Sequence, residues 1–487
     1  MRNIAHSSQY RHEIATIGNR LGNMISMYHP EGSGACRIRL GRKPAMLNTR
    51  FWPSAEAEKK KEVQSLSMEE MTMIHAVQKT ILAAAGFGML ALVGNAAHAA
   101  DTIKIGVLYS MTGAGSVLGP KQAEAAQMAF DEANAGGGVN VGGKKMKIEV
   151  VQRDDETKPA VAISRATEMV RTGGVKIIQG GTFAHVSMAL NEEAKKHNFF
   201  LMTTNGVPDN FFEKTTKAPY ALAILGDTGM VGRGTVDYLV GKHKPKRIVF
   251  LMPDYAYGKG AWAGAEATLK MHPQIQAKVI WTPVGAADVT AQLIQAMEFQ
   301  PDVIALGQWG KDLITALKQA GEMGLKSKTK LFVNWIIDLV AVGIPPEILE
   351  GVDSQTWWYH DKSGVSDAEV SKLTEDFVKK YEARFGAPPD PYIMTAYFGS
   401  REIIRAIEAS GSTEPDKMYA ALMKNPNFLT AKGPAAWRVD GRPRYKYNAW
   451  IISGLPADKR TSKNHWGRII DSHSGDAFLP DVKSLGW

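Results

Sequence analysis

Cysteine is nearly absent: Cys36 is the only one in 487 residues. Beyond the first hundred residues there is no thiol for nucleophilic catalysis, no cysteine–metal site and no disulfide, so that part must hold itself together by its core. A one-signed charge surplus is also missing. The 58 Lys+Arg outnumber the 49 Asp+Glu, but residues 1–99 hold 12 of the bases and only 7 of the acids. The remainder is close to balance, which argues against a dedicated nucleic-acid binder with a basic stripe. Long apolar runs are scarce. The longest, Ile81 to Val93, is too short to span a bilayer comfortably.

What is present is ordinary for a globular protein: 44% hydrophobic and 22% charged residues, in a chain long enough for two or three cores. The stretch "MIHAVQKTILAAAGFGMLALVGNAAHAADTIKIG" has the layout of a secretory signal. Lys79 gives the positive start, Ile81 to Val93 the apolar centre, and Ala97-His98-Ala99 a small-x-small cleavage site. Residues 73–99 are therefore expected to be a signal peptide, with the exported chain starting near Ala100 or Asp101 and working in the periplasm. A retained anchor or a helix of the fold is the competing reading. Residues 1–72 lack clear periodicity; they are expected to be a disordered leader, or to precede a true start at Met68, Met71 or Met73.

From residue 101 onward short apolar runs alternate with amphipathic stretches. "TIKIGVLYS" is followed by a helical pattern from about Lys121 to Ala135, "KKMKIEVVQRDDE" by "PAVAISRATEMVRT", "VKIIQGG" by "SMALNEEAKKH". A second series opens after "AILGDTGMVG" with "RIVFLM" and "AWAGAEATLKM". Such alternation predicts βαβ units and mostly parallel sheets, too many strands for one lobe. The expected division is 101–222 plus 355–438 for one lobe and 223–354 plus 439–487 for the other.

Ligands of open parallel sheets bind at the carboxyl ends of the strands. Polar clusters sit there: "SMTGAGSVLG", "GGTFAHVS", "TTNGVPD", "PDYAYG" and "GQWGKD". None carries a full catalytic signature. "GAGSVLG" lacks the Gly-Lys-Ser/Thr ending of a phosphate loop, Ser187 lacks the G-x-S-x-G elbow, and His185 has no partner at zinc spacing. Asp154, Asp155 and Glu156 read as a capping or solvated acid run, and Trp357 and Trp358 as core or crossing-strand residues. No cofactor is implied. In "IVFLMPDYAYGKG" the spacing places Tyr257 at a strand's carboxyl end, displayed by a tight turn shaped by Asp254 and Gly258.

At this point a resemblance enters. "IKIGVLYSMTGAGSVLGP", "VQRDDETKPAVAISRATEMV", "IIQGGTFAHVSMALNEEAKKHNFFLMTTN", "RIVFLMPDYAYGKG", "PYIMTAYFGSREIIRAIEASGS" and "SGDAFLPDVKSLGW" occur in the order seen in the leucine/isoleucine/valine-binding family. These are the substrate-binding proteins of branched-chain amino acid ABC importers, and the likeness covers essentially all of 101–487. It implies an α/β chain with the two-lobe type I periplasmic-binding-protein fold: mostly parallel sheets flanked by helices, three crossing segments at the hinge, and a ligand clamped between the lobes. It also implies a non-enzymatic, monomeric receptor that hands a small solute to an ABC permease and its ATPase subunits. A ligand sensor for a signalling partner, and an enzyme such as an amidase, are the rivals.

Carried over residue by residue, Tyr257 matches the tyrosine that caps the ligand, and Trp309 an aromatic on the same wall. The loop Thr182, Phe183, Ala184, His185, Val186 and Ser187 matches the one that holds the ligand carboxylate, the family's serine falling on His185 or a neighbour. Thr204, Asn205 and Gly206 match the strand end that meets the ammonium, and Leu118 stands where an aromatic is common. The main departure is in "LFVNWIIDL": where amino-acid binders place a glutamate for the α-ammonium, this chain has Asn334, Trp335 and Ile336, with Asp338 further on. A buried ammonium without an anionic partner costs on the order of several kcal/mol, so the resemblance implies the clamp while an aromatic or other organic carboxylate, or an amide, fits walls of Tyr257, Trp309 and Trp335.

Overall fold

Each buried apolar run becomes a strand and each amphipathic stretch a helix in the structure, a computed structural model that describes residues 102–474 and 478–487. The expected signal peptide at 73–99, the extension 1–72 and Cys36 lie outside the described residues. The first sheet contains β1 (Thr102–Tyr109), β2 (Val139–Val141), β3 (Lys144–Asp154), β4 (Ile177–Gly180), β5 (Phe200–Thr203) and β6 (Ala221–Ala223), in the order β2-β3-β1-β4-β5-β6. All its pairs are parallel except the β2–β3 hairpin. Helices α1 (Gly119–Ala135), α2 (Pro159–Arg171) and α3 (Ala184–His197) connect these strands.

The chain then crosses to a second sheet through α4 (Thr228–His243), followed by β7 (Arg247–Pro253), α5 (Ala256–Leu269), β8 (Gln276–Thr282), α6 (Thr290–Glu298), β9 (Val303–Leu306), α7 (Lys311–Glu322), β10 (Lys330–Val333) and β11 (Asp353–Thr356). It returns to pack α8 (Ala368–Phe385), α9 (Pro391–Ser410) and α10 (Pro415–Lys424), and forms a small antiparallel sheet of β12 (Asn427–Thr430), β13 (Gly433–Trp437) and β14 (Pro443–Tyr445). A last crossing gives β15 (Tyr447–Gly454) and β16 (Gly467–Ser474) to the second sheet, whose order is β16-β15-β11-β10-β9-β7-β8. The chain thus passes between the two sheets after β6, after β11 and between β14 and β15.

Strand β7 shows why these runs pair in parallel: Ile248 to Met252 are all fully buried, as expected for a strand covered on both faces. The two antiparallel pairs at the other end, β11–β15 and β15–β16, come from the crossing chain. Helix α9 belongs with the first sheet. Gln179 Nε2 donates to its Ala396 carbonyl at 2.8 Å, and Thr395 donates its hydroxyl to Thr204 O at 2.7 Å.

Helix α4 is masked in the sequence by its glycines, which serve packing. A Cβ at Gly232 would sit 1.8 Å from Ala261 O, and one at Gly264 2.1 Å from Gly229 O, so α4 and α5 touch backbone to backbone. Helix α5 also starts five residues before the expected "AWAGAEATLKM". Tyr255 is its N-cap and Tyr257 lies in its first turn, not in a tight turn before it. Gly258 is helical, and it is required because a Cβ there would meet Pro253 O at 2.0 Å. Asp254 is exposed and pairs with Lys259 at 3.0 Å. Among the described residues no helix is long and apolar enough to cross a membrane.

Candidate ligand-binding site

The glycine-rich loop after β1 is tied down by the acid run after β3. Asp154 Oδ1 accepts from Met111 N at 2.9 Å and Glu156 N at 2.8 Å, while Asp155 Oδ1 accepts from Ser110 Oγ at 2.5 Å and Thr157 N at 2.8 Å. Burial pushes the Asp155 carboxyl up, against the pull of these donors. These acids hold one loop against its neighbour, and Ser110 N in turn donates to Thr182 Oγ1 at 3.0 Å. That places the β4–α3 loop, one wall of a cavity of about 820 Å³ including its open mouth.

Five strand ends expected from the sequence line this cavity: Thr182, Phe183 and Ala184 past β4, Asn205 and Gly206 past β5, and Tyr257, Trp309 and Trp335 past β7, β9 and β10. The Phe183 and Trp309 rings meet edge to face across it, 5.8 Å between centroids at 78°. Asn205 is fixed by donating Nδ2 to Thr182 O at 2.7 Å. Phe183 is the N-cap of α3 and provides no side-chain cap, so the first backbone N–H groups of that helix remain without intrahelical partners. Ser187 N is the first amide that turns back, to Phe183 O at 2.9 Å.

Five other expected residues do not line the cavity. Leu118, at the start of α1, is 1% exposed and belongs to the core. His185 points away, its Nε2 3.3 Å from Thr157 O. Val186 is packed in the core under α3, and the Ser187 hydroxyl lies 3.4 Å from Gly181 O. Thr204 Oγ1 is 2.9 Å from the Tyr109 hydroxyl, inside the first lobe's polar network. Of each strand-end segment only part faces the cavity.

The sequence reading missed the walls supplied by the crossings. Asp227, Thr228 and Val231 come from the start of α4, Gln355 and Trp357 from the β11 crossing, and Tyr392 from the first turn of α9. Asn448 and Ala449 on β15, with His473 and Phe478, complete it. Trp357 is both: 3% exposed and packed 6.0 Å from Trp335, it is core and cavity wall at once. Trp335 donates Nε1 to the Tyr392 hydroxyl at 3.1 Å, locking the two aromatics.

Charge in the lining is compensated. Asp227 is buried, yet Arg442 Nη1 lies 2.8 Å and Arg233 Nη2 2.5 Å from its oxygens, and Met230 N donates at 2.7 Å. Burial works to raise the Asp227 carboxyl, but the two guanidinium groups outweigh it and hold it well below the usual carboxylate range. Asn334 does not reach the cavity; its Nδ2 lies 3.8 Å from Met252 Sδ. Nor does Asp338, which accepts from Trp466 Nε1 at 2.8 Å. Several polar atoms of the lining have no partner: the Tyr257 hydroxyl, Trp357 Nε1, Thr228 Oγ1, Gln355 Oε1 and His473 Nε2. A buried polar atom left this way costs about 1–3 kcal/mol, so the cavity is built for a polar guest. Burial drives the Tyr257 hydroxyl well above its ordinary value, which keeps it a neutral donor. Among the described residues no three His, Cys, Asp or Glu side chains gather as a metal would require.

The sequence pattern of the family described as "Periplasmic binding protein" matches residues 102–451. The chain belongs to that family. Among its curated relatives is the Leu/Ile/Val-binding protein homolog 8 of Brucella abortus, 25% identical over 345 residues, or 68% of this chain and 83% of that one. An amino acid ABC transporter substrate-binding protein from Pseudomonas fluorescens superposes with a TM-score of 0.70 at 22% identity, over 80% of this chain and 99% of the other. A solute-binding protein from R. palustris, solved in complex with benzoate, gives 0.64 at 19% identity, over 77% and 98%. These structures establish the type I periplasmic-binding fold: two sheets, three crossings, and the cavity between them.

Proposed function

We propose that this chain is a periplasmic receptor, not an enzyme, that closes around a small organic carboxylate and delivers it to an ABC permease driven by separate ATPase subunits. The receptor acts as a monomer. The observation that carries the ligand class is the charge of the lining. Among the described residues the lining holds one carboxylate, Asp227, and it is already engaged by Arg442 and Arg233. An α-ammonium would be buried unpaired, a cost of about several kcal/mol. A carboxylate, in contrast, meets the free N–H groups at the start of α3, where the helix dipole favours an anion. Aromatic faces at Phe183, Trp309, Trp335 and Trp357 suit an apolar or aromatic body.

Closure follows from differential contact: a ligand touching both the α3 start and Tyr257 binds the shut form better and draws the lobes together about the three crossings. The relatives span both ligand types, an amino acid transporter protein and a benzoate complex, and the missing ammonium partner favours the second. Titration calorimetry with benzoate and with leucine tests this. Benzoate binding with leucine weaker by tenfold or more supports the reading; the reverse order overturns it. Turnover of a bound acid or amide would overturn the non-enzymatic part.

A further inference from the structure

The cavity's lining is spread along most of the second sheet's edge. In the second sheet its lining residues follow the ends of β7, β9, β10, β11 and β15 and then reach β16. Neighbouring strands lie ~4.8 Å apart. Gln355 on β11 is thus two strands, about 10 Å, from the β9 end that carries Trp309, and His473 on β16 is four strands, about 19 Å, away. His473 and Phe478 lie past residue 451, where the match to the family pattern ends.

The two ends also differ in polarity. Near Trp309 the unpartnered groups are donors: the Tyr257 hydroxyl and the first amides of α3. Toward β11 and β16 one donor, Trp357 Nε1, is joined by two unpartnered acceptors. Gln355 donates its Nε2 to Val231 O at 3.4 Å, which leaves Oε1 as the unpartnered atom. Gly234 keeps space beside it, since a Cβ there would stand 2.3 Å from that oxygen. His473 has Asp237 Oδ2 3.7 Å from Nδ1, which favours the proton on that nitrogen and leaves the unpartnered Nε2 to accept. Burial, the largest influence, lowers its pKa and keeps the ring neutral. Its ring packs on Phe478, 4.5 Å between centroids, so it is held in place.

We propose that Gln355 and His473 form a hydrogen-bond-accepting half of the cavity, and that the solute is a carboxylate carrying a hydroxyl or N–H donor at its opposite end. This deepens, and rests on, the carboxylate reading above. Gln355, two strands from the β9 end, serves the shorter solutes, and His473, two strands further along the sheet, serves longer ones. Both residues set specificity by direct contact with the ligand; a site that accepts a hydroxyl proton rejects the analogue lacking it, because its own buried acceptor is then left unpaired.

The test compares 4-hydroxybenzoate, 4-hydroxyphenylacetate and 3-(4-hydroxyphenyl)propionate with their deoxy and O-methyl counterparts by calorimetry. At least one hydroxy acid is expected to bind about tenfold or more tighter than both counterparts. Gln355→Met, His473→Phe or the double variant should collapse that ratio to about one, with an unchanged thermal melt of the ligand-free protein reporting an intact fold; Gln355→Glu, which keeps an acceptor, should not collapse it. Equal affinity for hydroxy and deoxy acids in the parent, or a preference that survives the double variant, overturns the inference. If none of the acids binds, the carboxylate reading itself fails and takes this one with it.

Discussion

Replacing Arg442 with methionine should be among the most damaging single changes available in this protein. The guanidinium is fully buried, 2.8 Å from Asp227 and 4.1 Å above the Phe212 ring. Asp227 caps α4 by accepting from Met230 N, so the carboxylate must stay ionised and in place. Methionine fills most of the volume and keeps contact with Phe212, which isolates the loss of charge. Arg233 remains, but with a partly exposed side chain it screens Asp227 less well than a buried partner. Removing one member of a buried pair costs about 3–5 kcal/mol because the other charge is left uncompensated. Urea denaturation followed by circular dichroism should show that loss, and Asp227→Asn in the same chain should recover more than half of it. A second consequence follows in the cavity: an Asp227 freed of Arg442 repels carboxylates and attracts amines, so benzoate affinity should fall. A single variant within about 1 kcal/mol of the parent, or a double variant no better than the single, would refute this account of the pair.

Tyr257→Ala should weaken ligand binding by roughly 1–3 kcal/mol, the burial scale of a large side chain, and calorimetry showing unchanged affinity would remove it from the site. Asp390 caps α9 and is pushed up to about 7, chiefly by burial and then by Asp338. In the folded state it therefore holds its proton to higher pH than in the unfolded chain, so its contribution to stability grows as pH falls from about 7 toward the ordinary carboxylate value near about 4. Asp390→Asn, which keeps a capping side chain, should flatten that part of a melting-temperature profile; an unchanged slope counts against the assignment. Gly232→Ala forces a Cβ to 1.8 Å from Ala261 O and should destabilise by about 1–3 kcal/mol, whereas Gly241→Ala, with nothing within 4 Å of its Cβ, should stabilise α4 by up to about 1 kcal/mol. Equal effects in thermal melts would refute the packing argument.

The alternating pattern made the sheets and most helices legible, because runs such as Ile248 to Met252 are buried on both faces and carry their own signal. Tyr257, Trp309 and Asn205 were legible for the same reason: they follow directly from strand ends. What the pattern hid was set by distant packing. Helix α4 is written with glycines for the sake of α5, so its apolar stripe is weak. Thr204 and Leu118 sit where a ligand contact was expected, yet Tyr109 and the α1 core claim them. Gln355, Tyr392 and His473 reach the cavity only because the chain crosses three times, and no local spacing records a crossing. Asn334 is a real departure from the resemblance, and it matters because Asp227 and Asp338 are both engaged by other partners, which no local spacing records.

Backbone contact between α4 and α5 ties together two regions that sequence separates. Asp227 to Val231 stand at the head of one helix, Tyr255 and Tyr257 at the head of the other, and at Gly232 and Gly264 the seam between them is backbone on backbone. Pressure on Tyr257 from a guest is therefore passed undamped into the peptide groups around Gly229, and the pair answers as a single wedge. Whatever displaces the head of one helix therefore carries the other with it.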